Sequence, residues 1–164
     1  MQIDLGILRF ALPTDGDPIL PHMLVALGVE DQQQSLGVGP TLAKTQSHKF
    51  RRTTTVALGP KLPEHSPQQA LEAAVNSIVR RAAGKVVTSA DRAVAKSPGK
   101  VVEVRHAGPD KVPLRSLVMV RCADDWVQTV MLTALDTRDN DAAVRGQFEM
   151  LLDSVRAGSF FQDG

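Results

Sequence analysis

The chain has 164 residues and a mass of 17.7 kDa, which suits one domain built around a continuous hydrophobic core. Its 19 Lys and Arg residues are balanced by 18 Asp and Glu residues, so the net charge of +1 disfavours nucleic acid or anionic lipid as a partner. Cys122 is the single cysteine, which excludes an internal disulfide, and no apolar run approaches the roughly 18 residues that a membrane helix needs. The first residues lack the basic segment of a signal peptide, so we expect a cytoplasmic protein.

The first third of the chain has the weakest patterns. Residues 7–12 and 23–29 are predicted to be strands, separated by a segment rich in Pro, Asp and Gly. The glutamine-rich residues 31–34, with Gly37 and Gly39, predict an exposed loop. We therefore divide a single domain into an irregular N-terminal part (1–47), a core of sheet and helices (48–156) and a tail (157–164).

A strand rich in β-branched residues is predicted within residues 48–58, and a helix follows it. Ser66, Pro67 and Gln69 have the spacing of an N-cap, a first helical residue and a capping-box partner. The residues of one helical face are apolar, and Gly84 is the expected C-terminal cap. That face should contact a core.

The second half of the chain alternates strands with turns and then ends in a helix. Strands are predicted at 85–95 and 101–105, and residues 114–122 and 126–135 form an antiparallel hairpin. The final helix covers about residues 140–156. This order predicts an α+β fold in which an antiparallel sheet of six to seven strands packs with two main α-helices.

A size argument suggests that this sheet has more apolar surface than the helices cover. Six or seven strands about 4.8 Å apart make a sheet roughly 30 Å wide, whereas one helix covers a strip about 10 Å wide. In the strand at 114–122, Leu117 and Met119 alternate with Val118 and Val120, so both faces are apolar. We expect the remainder to meet the N-terminal segment, a second subunit or a partner protein.

Motifs for common catalytic chemistry are missing from the sequence. It has no G-x-G-x-x-G, G-x-x-x-x-G-K, H-E-x-x-H or C-x-x-C pattern, and its four histidines lack the spacing of a local metal site. Cys122 follows an apolar run and is interpreted as structural, and Asp124 and Asp125 are interpreted as turn residues. We therefore predict no catalytic residue, no metal and no cofactor.

A resemblance to a known family covers roughly residues 50–156. The helix beginning Ser66-Pro67-Gln68-Gln69, the hairpin of residues 117–135 and the last helix around Phe148 to Arg156 together resemble the DcrB-related, PsbP-like superfamily. The resemblance implies an α/β/α sandwich without catalytic residues. Members include photosystem accessory factors, lipoproteins and the cytoplasmic Eag-type chaperones of type VI secretion effectors. Those chaperones usually carry glycine and tryptophan after the first strand, where this chain has no tryptophan.

The resulting hypothesis is a non-enzymatic chaperone or adaptor that shields an apolar segment of another protein, such as a secreted effector, as a monomer or a homodimer. The predicted partner-binding residues are Leu117, Met119, Val130 and Met131. An immunity or accessory protein that binds a folded partner is the alternative. A small-molecule enzyme is a third interpretation, and it requires the histidines or Asp124 and Asp125 to converge in one pocket.

Overall fold

The computed structural model describes the backbone of residues 2–4, 8–11, 22–29, 32–38, 53–108, 111–139 and 141–157, and the side chains of residues 54–156 within those ranges. These residues form ten strands and two α-helices. In chain order they are β1 (Gln2–Asp4), β2 (Leu8–Ala11), β3 (His22–Val29), β4 (Gln32–Val38), β5 (Thr53–Pro60), α1 (Pro67–Ala82), β6 (Lys85–Asp91), β7 (Gly99–Ala107), β8 (Pro113–Ala123), β9 (Trp126–Leu135), α2 (Asp141–Ser154) and β10 (Arg156–Ala157).

The main sheet has the strand order β4-β3-β5-β9-β8-β7-β6. Its antiparallel part consists of the five strands β5, β9, β8, β7 and β6. A total of seven is reached only with β3, which lies parallel to β5, and β4, which is antiparallel to β3. The expected sheet of six to seven antiparallel strands is therefore corrected to five, with a parallel junction at β3. A second, small sheet has the order β1-β2-β10.

Helix α1 begins as its sequence predicts and ends one residue earlier than expected. The Ser66 hydroxyl accepts a hydrogen bond from the Gln69 backbone at 3.2 Å, and the Gln69 side chain accepts one from the Ser66 backbone at 2.9 Å. At the other end Ala83, and not Gly84, takes the left-handed cap conformation, with φ 47°. Gly84 is needed for a different reason, because a Cβ there would lie 2.6 Å from a methyl group of Val104 on β7.

The two helices cover opposite faces of the sheet, which makes an α/β/α sandwich. Leu71 and Val75 of α1 pack against Val102, Val118 and other apolar residues on one face. On the other face α2 packs against β5, β8 and β9, using Val144, Phe148, Leu151 and Leu152. Because side chains alternate along a strand, β8 contributes to both cores.

The structure confirms the α+β class, the two main helices and the hairpin of β8 and β9. It corrects the exposed loop expected at residues 31–34, since Gln32–Val38 is strand β4 and Val29 pairs with Gln32. The glutamines were a poor guide because strand propensity depends strongly on the neighbouring strand. Strand β6 also ends at Asp91, four residues before the expected end of 85–95.

Candidate partner-binding surfaces

Three of the four predicted partner-binding residues lie in the core. Leu117 is 4% exposed, and Met119 and Val130 are fully buried. All three belong to the cluster that α2 covers. The prediction that they bind a partner is wrong for this fold, because α2 lies directly over the strands that carry them.

Met131, the fourth, lies on the opposite face and is half-buried. The exposure of the side chains on this face increases across the sheet. Val102, Val104, Val118 and Val120 are at most 1% exposed beneath α1, whereas most side chains toward β5 are half-buried, with Thr129 at 8% as the buried one among them. The half-buried group, here named the open strip, consists of Thr55, Ala57, Val127 and Met131.

The open strip exists because α1 lies over one side of the sheet. Helix α1 contacts β7 and β8 and reaches β9. The register places Thr55 opposite Met131 and Ala57 opposite Thr129, so the β5 side of the strip has small side chains. The strip is thus a band of half-buried side chains beside α1, with the Met131 side chain packed against the cluster that α1 covers.

A second exposed region is the outer strand β6, the last in the sheet order. All seven of its residues are exposed, including Val86 at 38% and Val87 at 42%. Its register with β7 shifts between Val86 and Thr88, which marks a bulge at Val87. No described strand pairs with its outer side.

An ionic cluster links α2 to the sheet. The sequence patterns did not predict it. Glu103 of β7 is 2% exposed, and its Oε2 accepts a hydrogen bond from Arg145 at 2.9 Å. Arg145 also contacts Asp141 at 3.1 Å, and Asp141 contacts the buried Arg115 of β8. Arg145 and Arg115 lower the pKa of Asp141 by hydrogen bonding. The charged residues that interrupt the apolar strands could have indicated this cluster. Such residues are rarely buried without an ionic partner.

A row of polar side chains crosses the α1 side of the sheet at the far end of α1. His106 Nε2 lies 2.9 Å from the Ser116 hydroxyl, which lies 2.7 Å from the Thr133 hydroxyl. Burial lowers the pKa of His106, and a hydrogen bond with the Ala107 backbone opposes this shift more weakly. A serine beside a histidine is the arrangement of a nucleophile and its base, but Ser116 is only 3% exposed. A substrate therefore has little access to the Ser116 hydroxyl.

The remaining candidate residues have structural roles. Cys122 is 4% exposed, and burial raises the pKa of its thiol, which disfavours the reactive thiolate. Asp124 and Asp125 form the two-residue turn between β8 and β9, where Asp124 has φ 52°. The interpretation of both aspartates as turn residues is confirmed, and the burial of Cys122 fits its interpretation as a structural residue. Of the histidines, His106 and His65 have described side chains, whereas those of His22 and His48 lie outside the described set.

The architecture is an α+β fold, and comparison with solved structures supports a PsbP-like fold. The crystal structure of LpqN, involved in cell envelope biogenesis of Mycobacterium tuberculosis, matches with a TM-score of 0.61 and 11% identity over 96% of this chain and 90% of LpqN. The solution structure of cyanobacterial PsbP (CyanoP) from Synechocystis sp. PCC 6803 matches with a TM-score of 0.53 and 10% identity over 94% of this chain and 95% of CyanoP.

At these identities the likeness concerns the fold alone. No family model matches the sequence, and no curated protein matches it. In the described part of the chain, neither helix has the combination of length and apolar character that crossing a bilayer requires.

Proposed function

We propose that this protein is a non-enzymatic binding module, a cytoplasmic chaperone or adaptor that shields an apolar segment of another polypeptide such as a type VI secretion effector. The open strip is the observation that carries the proposal, because there the apolar sheet face continues beyond the helix that covers it. The resemblance of the chain to DcrB-related proteins and Eag-type chaperones supports the same function. The protein acts alone or as a homodimer.

The dimensions of the strip favour a helical segment of the partner. The open strip lies on the neighbouring strands β9 and β5, which at about 4.8 Å per strand give it a width of roughly 10 Å. One α-helix with its side chains is about 10 Å wide. An amphipathic helix lying beside α1 would place its apolar face on Met131 and Ala57 and keep its polar face in water.

Pull-down of apolar effector segments by the purified chain tests the proposal. Ala57→Arg places a long charged side chain within the strip and should weaken retention about tenfold or more, because a buried unpaired charge is costly. Ala73→Arg, on the exposed side of α1, is the matched control and should bind as the unmodified chain does. Circular dichroism of both variants checks that the fold is kept.

Two results would contradict the proposal. Failure of every apolar segment to be retained is the first, and equal retention by Ala57→Arg and Ala73→Arg is the second. A stable complex with an intact folded protein that ignores its isolated segments would instead favour the immunity or accessory function.

A further inference from the structure

The hydrogen-bond pattern of β6 shows which of its backbone groups point outward. The Arg92 amide donates to the Gly99 carbonyl at 2.9 Å, so Arg92 turns this amide toward β7, as a residue of a hydrogen-bonded pair does. Such pairs alternate along an antiparallel ladder. The next pair, Asp91 with Lys100, therefore turns its Asp91 backbone groups away from β7, and Ser89 does the same two residues earlier. Since β6 is the outermost strand, these groups line the free edge of the sheet.

The bulge at Val87 divides this edge into two parts. On the C-terminal side, Thr88, Ser89, Ala90 and Asp91 continue in regular register with β7. On the N-terminal side, the register has shifted and Lys85 adds a charge. Bulges and lysines are devices that prevent strand pairing at an edge. The regular part, Thr88 to Asp91, is thus the portion that remains open to pairing.

The same bulge disfavours pairing of the whole length of β6 with a second copy of this chain. Lys85 pairs with Arg105 and so lies toward the α2 side of the sheet, whereas Asp91 pairs with Lys100 and lies toward the α1 side. In a twofold antiparallel pairing of β6 with itself centred on Thr88, Lys85 would stand opposite Asp91 of the other copy. Directly opposed residues must share a face, and these two do not. A short strand from a different polypeptide carries no such constraint.

We propose that residues Thr88 to Asp91 accept an extended segment of a partner protein as an added strand. Its backbone would bond to the outward groups of Ser89 and Asp91, as in other cases of strand addition. The Asp91 side chain is 74% exposed and lies 3.5 Å from Lys100, so it can take a second cation. The segment should therefore carry a basic residue opposite Asp91. Strands β7 and β8 separate this edge from the strands of the open strip, and this proposal does not depend on the proposed function.

Selection of extended seven-residue peptides by display against the full chain tests this proposal. Selected peptides should be enriched in one basic residue and in β-branched residues. Ser89→Pro removes an outward amide and leaves the bonds to β7 in place, so it should weaken binding about tenfold, whereas Ser89→Ala should not. Asp91→Asn should weaken binding about two- to fivefold.

Amide hydrogen exchange gives a second measurement on the same complexes. The amides of Ser89 and Asp91 should gain protection when a selected peptide binds, while that of Ala90, which already faces β7, should change little. The proposal is overturned if no peptide is selected, if selected peptides bind Ser89→Pro as well as Ser89→Ala, or if β6 instead forms a dimer with itself at the working concentration.

Discussion

Strands β8 and β6 are separated only by β7, yet their environments are opposite. Nine of the eleven residues of β8 are buried, whereas all seven residues of β6 are exposed. Composition explains part of the difference, because four of the seven residues of β6 are polar. Position explains why Val86 and Val87 are exposed as well, since both helices contact β8 whereas β6 lies at the edge of the sheet. An apolar strand is a binding surface only where the protein's own helices do not reach it.

The largest effect should come from truncating a residue of β8. Met119 is fully buried, so Met119→Ala should lower the free energy of unfolding by about 2–5 kcal/mol through lost burial and the cavity that remains. Urea denaturation measures this change. Val87→Ala on β6 is the control, and its effect should stay within about 0.5 kcal/mol because that side chain is 42% exposed. Equal losses in the two variants would show that β6 is covered in solution.

A smaller effect on the free energy of unfolding is expected from the ionic cluster that links α2 to the sheet. Arg145→Met removes the hydrogen-bond donor to the buried Glu103 carboxylate, which keeps Arg105 at 3.9 Å, and should cost about 1–3 kcal/mol in unfolding free energy, the range for a buried acceptor left without its donor. Arg145 is itself half-exposed, which keeps the cost below that of a fully buried pair. Arg138→Met, at an exposed position, should change stability little. A loss as small as that of Arg138→Met would mean that the cluster does not hold α2.

The smallest effect on stability should come from a change of pH, through His106 in the row of polar side chains with Ser116 and Thr133. Burial lowers the pKa of His106 in the folded state, so the unfolded chain binds the proton more readily. The stabilisation is fully present above the ordinary pKa of about 6.5 and is lost as pH falls through the lower folded value. Denaturation midpoints between pH 8 and pH 5 measure this loss, and His106→Gln should flatten the curve over that interval. An unchanged slope in His106→Gln would assign the pH dependence to other groups.

Local signals in the sequence determined most secondary structure. The capping box at Ser66 and Gln69, the hairpin of β8 and β9 and the apolar face of α2 depend on near neighbours in the chain, and each forms as predicted. These features also set the α+β class. Strand β4 is one exception, because its glutamines are ordered by pairing with β3 rather than by their own preference. Arg156 is another: it was expected at the end of the last helix but lies in strand β10, paired with Arg9 of β2.

Tertiary structure alone decided which apolar residues are available to a partner. The alternation of Leu117, Val118, Met119 and Val120 correctly gave β8 two apolar faces, but it could not give the positions of two helices distant in sequence. One helix on each face buries that strand, leaving Met131 half-covered on the α1 side and β6 exposed at the edge. Exposure follows from where whole elements pack, and that packing depends on contacts between residues far apart in the chain.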